Sequence, residues 1–253
     1  MSRRNRQLFA GAIYHVTARG NRRGETFLDD RDHYIWLQTL EEAASRYGLM
    51  VYAMCQMPNH FHLLLQTSEA NLSAAMHYLN GKYAQKFNWR HGFTGHVFQG
   101  RFDALLIVQQ AHLIELLRYI VLNPVRAKLA KNADDWRWST HRQVCGLLPQ
   151  SSWLQSAWVL GQFHGQSAAE RTQAYRAFVD AGDAPTRQEL KARFQSKPSA
   201  RDGAMPALES FENEHAGKDE AIRAAIASGG YTREQLARHF GVSVRTVSRI
   251  TSA

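Results

Sequence analysis

A short turn between two apolar runs constrains this chain more than any other stretch. Val51-Tyr52-Ala53-Met54-Cys55 and Phe61-His62-Leu63-Leu64-Leu65 both read as strands, and Pro58-Asn59 supplies the turn between them. Side chains alternate between the faces of a strand, so His60 and His62 point the same way, with Leu64 behind them. Phe61, Leu63 and Leu65 point the other way. Two imidazoles on one face, at the start of a rigid strand, can chelate one divalent metal. They can equally be two polar residues at a sheet edge.

The flanking sequence extends this hairpin into a fold. Ala12 to Ala18 is rich in β-formers and ends at Arg19-Gly20-Asn21, which reads as a first strand. Arg19, Arg22 and Arg23 cluster in the loop after it. Asp29 or Asp30 can cap a helix that runs to about Tyr47, with Trp36, Leu40, Ala43 and Tyr47 on its buried face and Gly48 ending it. From Asn71 the spacing turns helical again, with Leu72, Met76, Leu79, Tyr83 and Phe87 on one stripe and Tyr78, Lys82, Lys86 and Arg90 on the next. Phe102 to Val108 reads as a fourth strand, and Ala111 to about Leu122 as a helix. The order is βαββαβ and then a helix. It predicts an α+β fold: a ferredoxin-like or RNA-recognition-like antiparallel sheet with helices on one face.

Charge adds a partner class. The 253 residues carry a net charge of +9, which favours a polyanion, nucleic acid before acidic membrane. No Asp or Glu occurs from residue 70 to residue 102, a window that also holds Trp89, Phe93, Phe98, Arg101 and Phe102. Lys82, Lys86, Arg90 and Arg101 interleaved with rings suit a nucleic-acid strand, phosphates meeting cations and unstacked bases meeting aromatics. The alternative is a core of aromatics with a solvated basic face. Cys55 and Cys145 belong to no metal or disulfide spacing, which predicts a reducing compartment. No apolar run approaches a membrane span, and the N-terminal run is too short for a signal peptide. The expected location is the bacterial cytoplasm, associated with the nucleoid.

The predicted domains are residues 1–145, a helical extension over 146–182, a linker over 183–217 and a C-terminal domain over 218–253. The linker holds Pro185, Pro198 and Pro206 and one short helix near Arg187 to Phe194. In the last domain, Lys218 to Ser228 reads as a helix closed by Gly229-Gly230, and Thr232 with Gln235 forms a capping box. Leu236, Ala237, Phe240, Gly241 and Val247 have the spacing of a helix-turn-helix. Its second helix would present Ser243, Arg245, Thr246 and Arg249 to a major groove. A protein-binding three-helix bundle is the alternative.

A histidine pair needs partners for chemistry. Arg118-Tyr119-Ile120-Val121-Leu122-Asn123-Pro124 lies in the helix after the fourth strand. A tyrosine hydroxyl, with a pKa of about 10, is a weak nucleophile near neutral pH. It can attack a phosphate when well placed and when a metal polarises the phosphoryl oxygen. Asn123, four residues on, shares its face and can offer a neutral oxygen ligand. Equally, Tyr119 can be an ordinary amphipathic-helix tyrosine, and Asn123 can cap a helix starting at Pro124.

Five segments occur in order: Tyr14-His15-Val16-Thr17-Ala18-Arg19-Gly20-Asn21, Met57-Pro58-Asn59-His60-Phe61-His62-Leu63, Phe98-Gln99-Gly100-Arg101-Phe102, Arg118 to Ala127, and Trp136-Arg137-Trp138-Ser139-Thr140. Together they resemble the single-tyrosine transposases of the His-hydrophobic-His superfamily, and more closely the REP-associated tyrosine transposases, over about residues 10 to 145. The resemblance implies a metal-dependent single-strand DNA endonuclease and strand transferase acting on REP-like hairpins. It implies that His60 and His62 bind Mg²⁺ or Mn²⁺, with Asn123 as an amide ligand. It implies that Tyr119 forms a 5′-phosphotyrosine bond and releases a 3′-OH, and it places Gln99 and Arg101 in a family motif, Arg101 against phosphate. Phe61 is bulkier than the residue common there. The C-terminal domain is an addition that would hold duplex DNA. A monomer or a homodimer is compatible with all of this. Two other functions remain: a non-catalytic DNA-binding regulator, and an RNA-binding module of similar fold.

Overall fold

In a computed structural model, the described residues are 8–107, 110–182, 208, 211, 212, 215, 217–227 and 233–251. The chain divides into two compact units, 1–191 and 192–253, and the division falls inside the segment 183–217. The expected short helix at 187–194 lies outside the described residues.

The first unit is built on strands β1 (Ile13–Arg19), β2 (Leu49–Met57), β3 (His60–Thr67) and β4 (Asp103–Ile107). They form one antiparallel sheet in the order β2-β3-β1-β4. Met57 pairs with His60 across the Pro58-Asn59 turn, as the hairpin requires. Helix α1 (Asp30–Tyr47) starts where the Asp29 side chain accepts from the Asp32 amide, and it ends at Gly48 in the left-handed region. Helix α2 (Leu72–His91) buries Leu72, Met76, Leu79, Tyr83 and Phe87. Both helices cover the face that carries Phe61: its ring meets Trp36 of α1 at 4.6 Å and Phe98 at 5.9 Å, and Phe98 in turn meets Tyr83 of α2.

Helix α3 (Gln110–Arg126) departs from expectation twice. It lies on the opposite face, because Tyr119 packs on His15 and His62, so the sheet is covered on both sides rather than one. It also runs through Pro124 instead of stopping near Leu122. A proline inside a helix removes one donor. Here Asn123 Nδ2 donates to the carbonyls of Tyr119 at 2.7 Å and Ile120 at 3.4 Å, the second being the oxygen that Pro124 leaves without its N–H. No helix starts at Pro124, so Asn123 is not an N-cap.

The open edge of β2 is covered by chain from further on. The Gln56 amide donates to the Trp138 carbonyl at 2.9 Å and the Thr140 amide to Met54 at 3.0 Å. Val51 exchanges bonds with Trp153 and Gln155. The Trp136–Thr140 segment therefore protects a sheet edge from pairing with another chain. Beneath it His33 is stacked between Phe27, at 4.5 Å, and Trp138, at 4.2 Å. Short helices α4 (His141–Val144) and α5 (Ser156–Leu160) and the longer α6 (Ala168–Asp180) complete this unit.

The second unit packs α7 (Lys218–Ala227), α8 (Arg233–Phe240) and α9 (Val244–Thr251) around Ile222, Leu236, Phe240, Val247 and Ile250. Gly241, at φ 65°, makes the turn between α8 and α9. Ser243 Oγ accepts from the Thr246 amide at 3.0 Å and so caps α9. Arg245 and Arg249 are exposed. Gly229, Gly230, Thr232 and the side chain of Gln235 lie outside the described residues.

Candidate active site

The strand alternation puts His60 and His62 on one face, with ring centroids 5.0 Å apart. Each imidazole is held through Nδ1. His60 Nδ1 bonds Asn59 Oδ1 at 2.7 Å, and His62 Nδ1 bonds His15 Nε2 at 2.9 Å. In the tautomer that donates from Nδ1, the lone pair of each ring is on Nε2. This is the usual outer support of a metal-binding histidine. The donor set, two imidazoles held through Nδ1 on a rigid strand, fits a divalent ion.

Tyr119 comes to the same place from α3. Its ring stands edge-on to His62 at 5.7 Å and to His15 at 6.1 Å, and it is 4 % exposed. The Arg126 guanidinium lies 5.0 Å from the ring on the same helix. Asn123 is one turn beyond Tyr119, and its amide nitrogen donates to the helix carbonyls of Tyr119 and Ile120. Three of the expected groups, His60, His62 and Tyr119, thus converge. His15 joins them although the sequence pattern did not single it out. The signal lay in the register: His15 pairs with Leu64, so it shares the face of His62, its diagonal neighbour on the adjoining strand.

The loop after β1 borders the site. The Gly20 amide donates to the Asn59 carbonyl, and the Thr26 and Phe27 amides both donate to Pro58. Arg22 and Arg23 take positive φ, 54° and 62°, conformations that side chains rarely adopt and that persist where surroundings enforce them. At Gly20 a Cβ would stand 2.0 Å from the Gly24 carbonyl oxygen, so the loop closes only around glycine. Arg19, Arg22, Arg23 and Arg101 are exposed and form no ion pair among the described residues.

The basic stripe on α2 is placed differently. Lys82 and Lys86 pair with Glu42 of α1 at 2.8 and 3.7 Å. Arg90 pairs with Asp29 and, at 2.5 Å, with the fully buried Asp32. The Lys82 ammonium holds the Glu42 carboxyl below the ordinary carboxylate range, and Arg90 does the same for Asp29. These cations join two helices, and their charge is already matched.

A second cluster lies outside the site. Asp134, His141 and Cys145 have donor atoms close enough to hold a metal ion. His141 Nε2 is 3.2 Å from Asp134, its Nδ1 is 3.0 Å from the Tyr175 hydroxyl, and Arg176 reaches Asp134 at 3.1 Å. Burial pushes the Cys145 thiol up to about 11 and holds the His141 imidazole below its ordinary value. With Arg176 already neutralising Asp134, the group works as a polar tie between α4 and α6.

Comparison with known proteins now adds to the geometry. Residues 9–123 match the family described as "Transposase IS200 like". A Haemophilus influenzae protein described as a REP-associated tyrosine transposase is 26% identical over 167 residues, spanning 60% of this chain and 93% of its own. A solved structure of a REP-associated tyrosine transposase, bound to a REP hairpin, superposes with a TM-score of 0.50 at 23% identity, over 59% of this chain and 89% of that one. That likeness establishes the α+β fold of the first unit. Through residues 9–123, then, the chain is similar to the IS200-like transposases, and over a somewhat longer stretch to a protein described as a REP-associated tyrosine transposase.

Proposed function

We propose that this protein is a metal-dependent endonuclease and strand transferase that nicks and joins single-stranded or hairpin DNA of the REP type through Tyr119. One observation carries the reading: Tyr119 and two Nδ1-anchored histidines, from separate elements, meet on one face of the sheet. Mg²⁺ or Mn²⁺, held by His60 and His62 through Nε2 and by Asn123 through Oδ1, would supply positive charge to the phosphoryl oxygens. The neutral ligand set leaves that charge undiminished.

Tyr119 Oη attacks the phosphorus, forming the tyrosine O–P bond as the P–O3′ bond breaks. The tyrosine gives up its proton to solvent, and the departing 3′ oxygen takes one up. Attack by a 3′-OH on the phosphotyrosine reverses the step and joins strands. Arg19, Arg22, Arg23 and Arg101, unmatched by acids among the described residues, would meet phosphates of the strand. Lys82, Lys86 and Arg90, already ion-paired with Glu42, Asp29 and Asp32, would contribute less to that contact.

The C-terminal unit would act as a helix-turn-helix. It would lay α9 in the major groove of duplex DNA, with Arg245 and Arg249 exposed and Ser243 and Thr246 at its start. On this reading 1–145 is the catalytic domain, 146–182 its helical extension, 183–217 a linker and 218–253 the duplex-binding domain. The enzyme would work on the bacterial nucleoid.

The test is a hairpin oligonucleotide incubated with Mn²⁺ and run under denaturing conditions. A covalent protein–DNA band is expected, lost in Tyr119→Phe and lost without metal. A band that persists in Tyr119→Phe would overturn the assignment. Full cellular function in a His60→Ala, Tyr119→Phe double variant would favour a non-catalytic regulator.

A further inference from the structure

A cleft of about 460 Å³ runs between α2 and the segment 95–102. Its size is that of a small-molecule site. Phe98 and Phe102 give it apolar walls, and Gly81 opens its α2 side, since a Cβ built there meets nothing within 4 Å. Asn80 also lines it. Asn80 Oδ1 is buried and has no hydrogen-bond partner. A buried amide oxygen left unpaired costs free energy that an N–H donor entering the cleft would return. Arg101 stands exposed on its border, and no acidic residue lies between 70 and 102 to repel an anion.

The cleft is tied to the end of the sheet that carries His60. The Gln99 amide donates to the Arg19 carbonyl at 2.7 Å, the Asn21 amide donates to Val97, and Arg19 is the register partner of His60. The histidines and the aromatic-walled, amide-bearing recess thus lie at the same end of the sheet, the recess on the face that α2 covers, and a strand that rounds this end meets both. Unpaired nucleotides have N–H donors on the pairing edges of their bases, flat base faces for rings and a phosphate for a guanidinium.

We propose that this cleft is a nucleobase site, which takes one unpaired base of the bound strand against Phe98 and Phe102 with its N–H on Asn80 Oδ1. The proposal rests on the reading of the chain as a single-strand DNA enzyme, and it adds a specificity element that lies apart from the reacting atoms.

The experiment measures binding by fluorescence anisotropy without divalent metal, using a hairpin with single-stranded tails and the same hairpin without them. Gly81→Leu fills the cleft and improves helix propensity, so its melting temperature should match or exceed that of the unchanged protein. Loss of one stacked base should weaken binding of the tailed hairpin by about 5- to 100-fold and leave the blunt hairpin unaffected. A folded Gly81→Leu that binds the tailed hairpin normally would overturn the cleft assignment, while a Mn²⁺-dependent covalent band would still support the nuclease. Should Gly81→Leu not fold, Asn80→Ala decides by the same two affinities. If the unchanged protein neither binds tailed hairpins nor forms the band, both readings fall.

Discussion

At the scale of single residues, Asn123 carries two duties that one substitution can separate. Its Nδ2 repairs the helix at Pro124, and its Oδ1 is the proposed ligand atom. Asn123→Asp keeps a hard oxygen and removes the donor; Asn123→Ala removes both. Both variants should lose about 1–2 kcal/mol of stability by thermal melting, the worth of the lost bonds. Only Asn123→Ala should also lose Mn²⁺-dependent nicking. Equal nicking in the two would remove Asn123 from the ligand set. The pairing of His60 with His62 was legible in the sequence because a strand has a period of two. The place of His15 was not, since it depends on which strands become neighbours.

At the scale of elements, the hairpin, the Asp29 cap and the Gly48 stop were all readable, because each is set by local chemistry. The partner of the α2 stripe was not. The spacing shows Lys82, Lys86 and Arg90 as a basic stripe but not that α1 brings Glu42, Asp29 and Asp32 against it. Nor was the side of the sheet that α3 would cover, because its apolar stripe suits either face. The strip along the β2 edge has a measurable consequence of its own. Burial holds the His33 and His141 imidazoles below their ordinary pKa. The unfolded chain then binds protons at a higher pH than the folded one. Their contribution is present above about pH 6.5 and is lost as the pH falls towards the folded values. Melting temperature should therefore fall between about pH 7 and pH 5, and His33→Gln should flatten part of that slope. A profile with no fall over that range would show that these imidazoles ionise freely in the folded state.

At the scale of the whole molecule, the net charge of +9 suggested a polyanionic partner but not where it binds. Two sets of cations remain candidates, the arginines beside the first-unit site and those of α9. Duplex binding should depend on the second set. An Arg245→Ala, Arg249→Ala variant should lower duplex affinity and reduce the slope of log affinity against log salt by about two. Nicking of a hairpin should be unchanged. An unaltered salt slope would make α7, α8 and α9 a protein-binding bundle.

Trp89 stands on α2 with 87% of its surface in solvent, while Trp36, across the α1–α2 pair, has none. Light emitted by the first is open to dissolved quenchers, and light emitted by the second is shielded from them. The protein thus carries a natural optical reporter on the helix that walls the cleft. Iodide quenching of Trp89, identified by its loss in Trp89→Phe, can reveal without any label whether a bound strand passes over that helix.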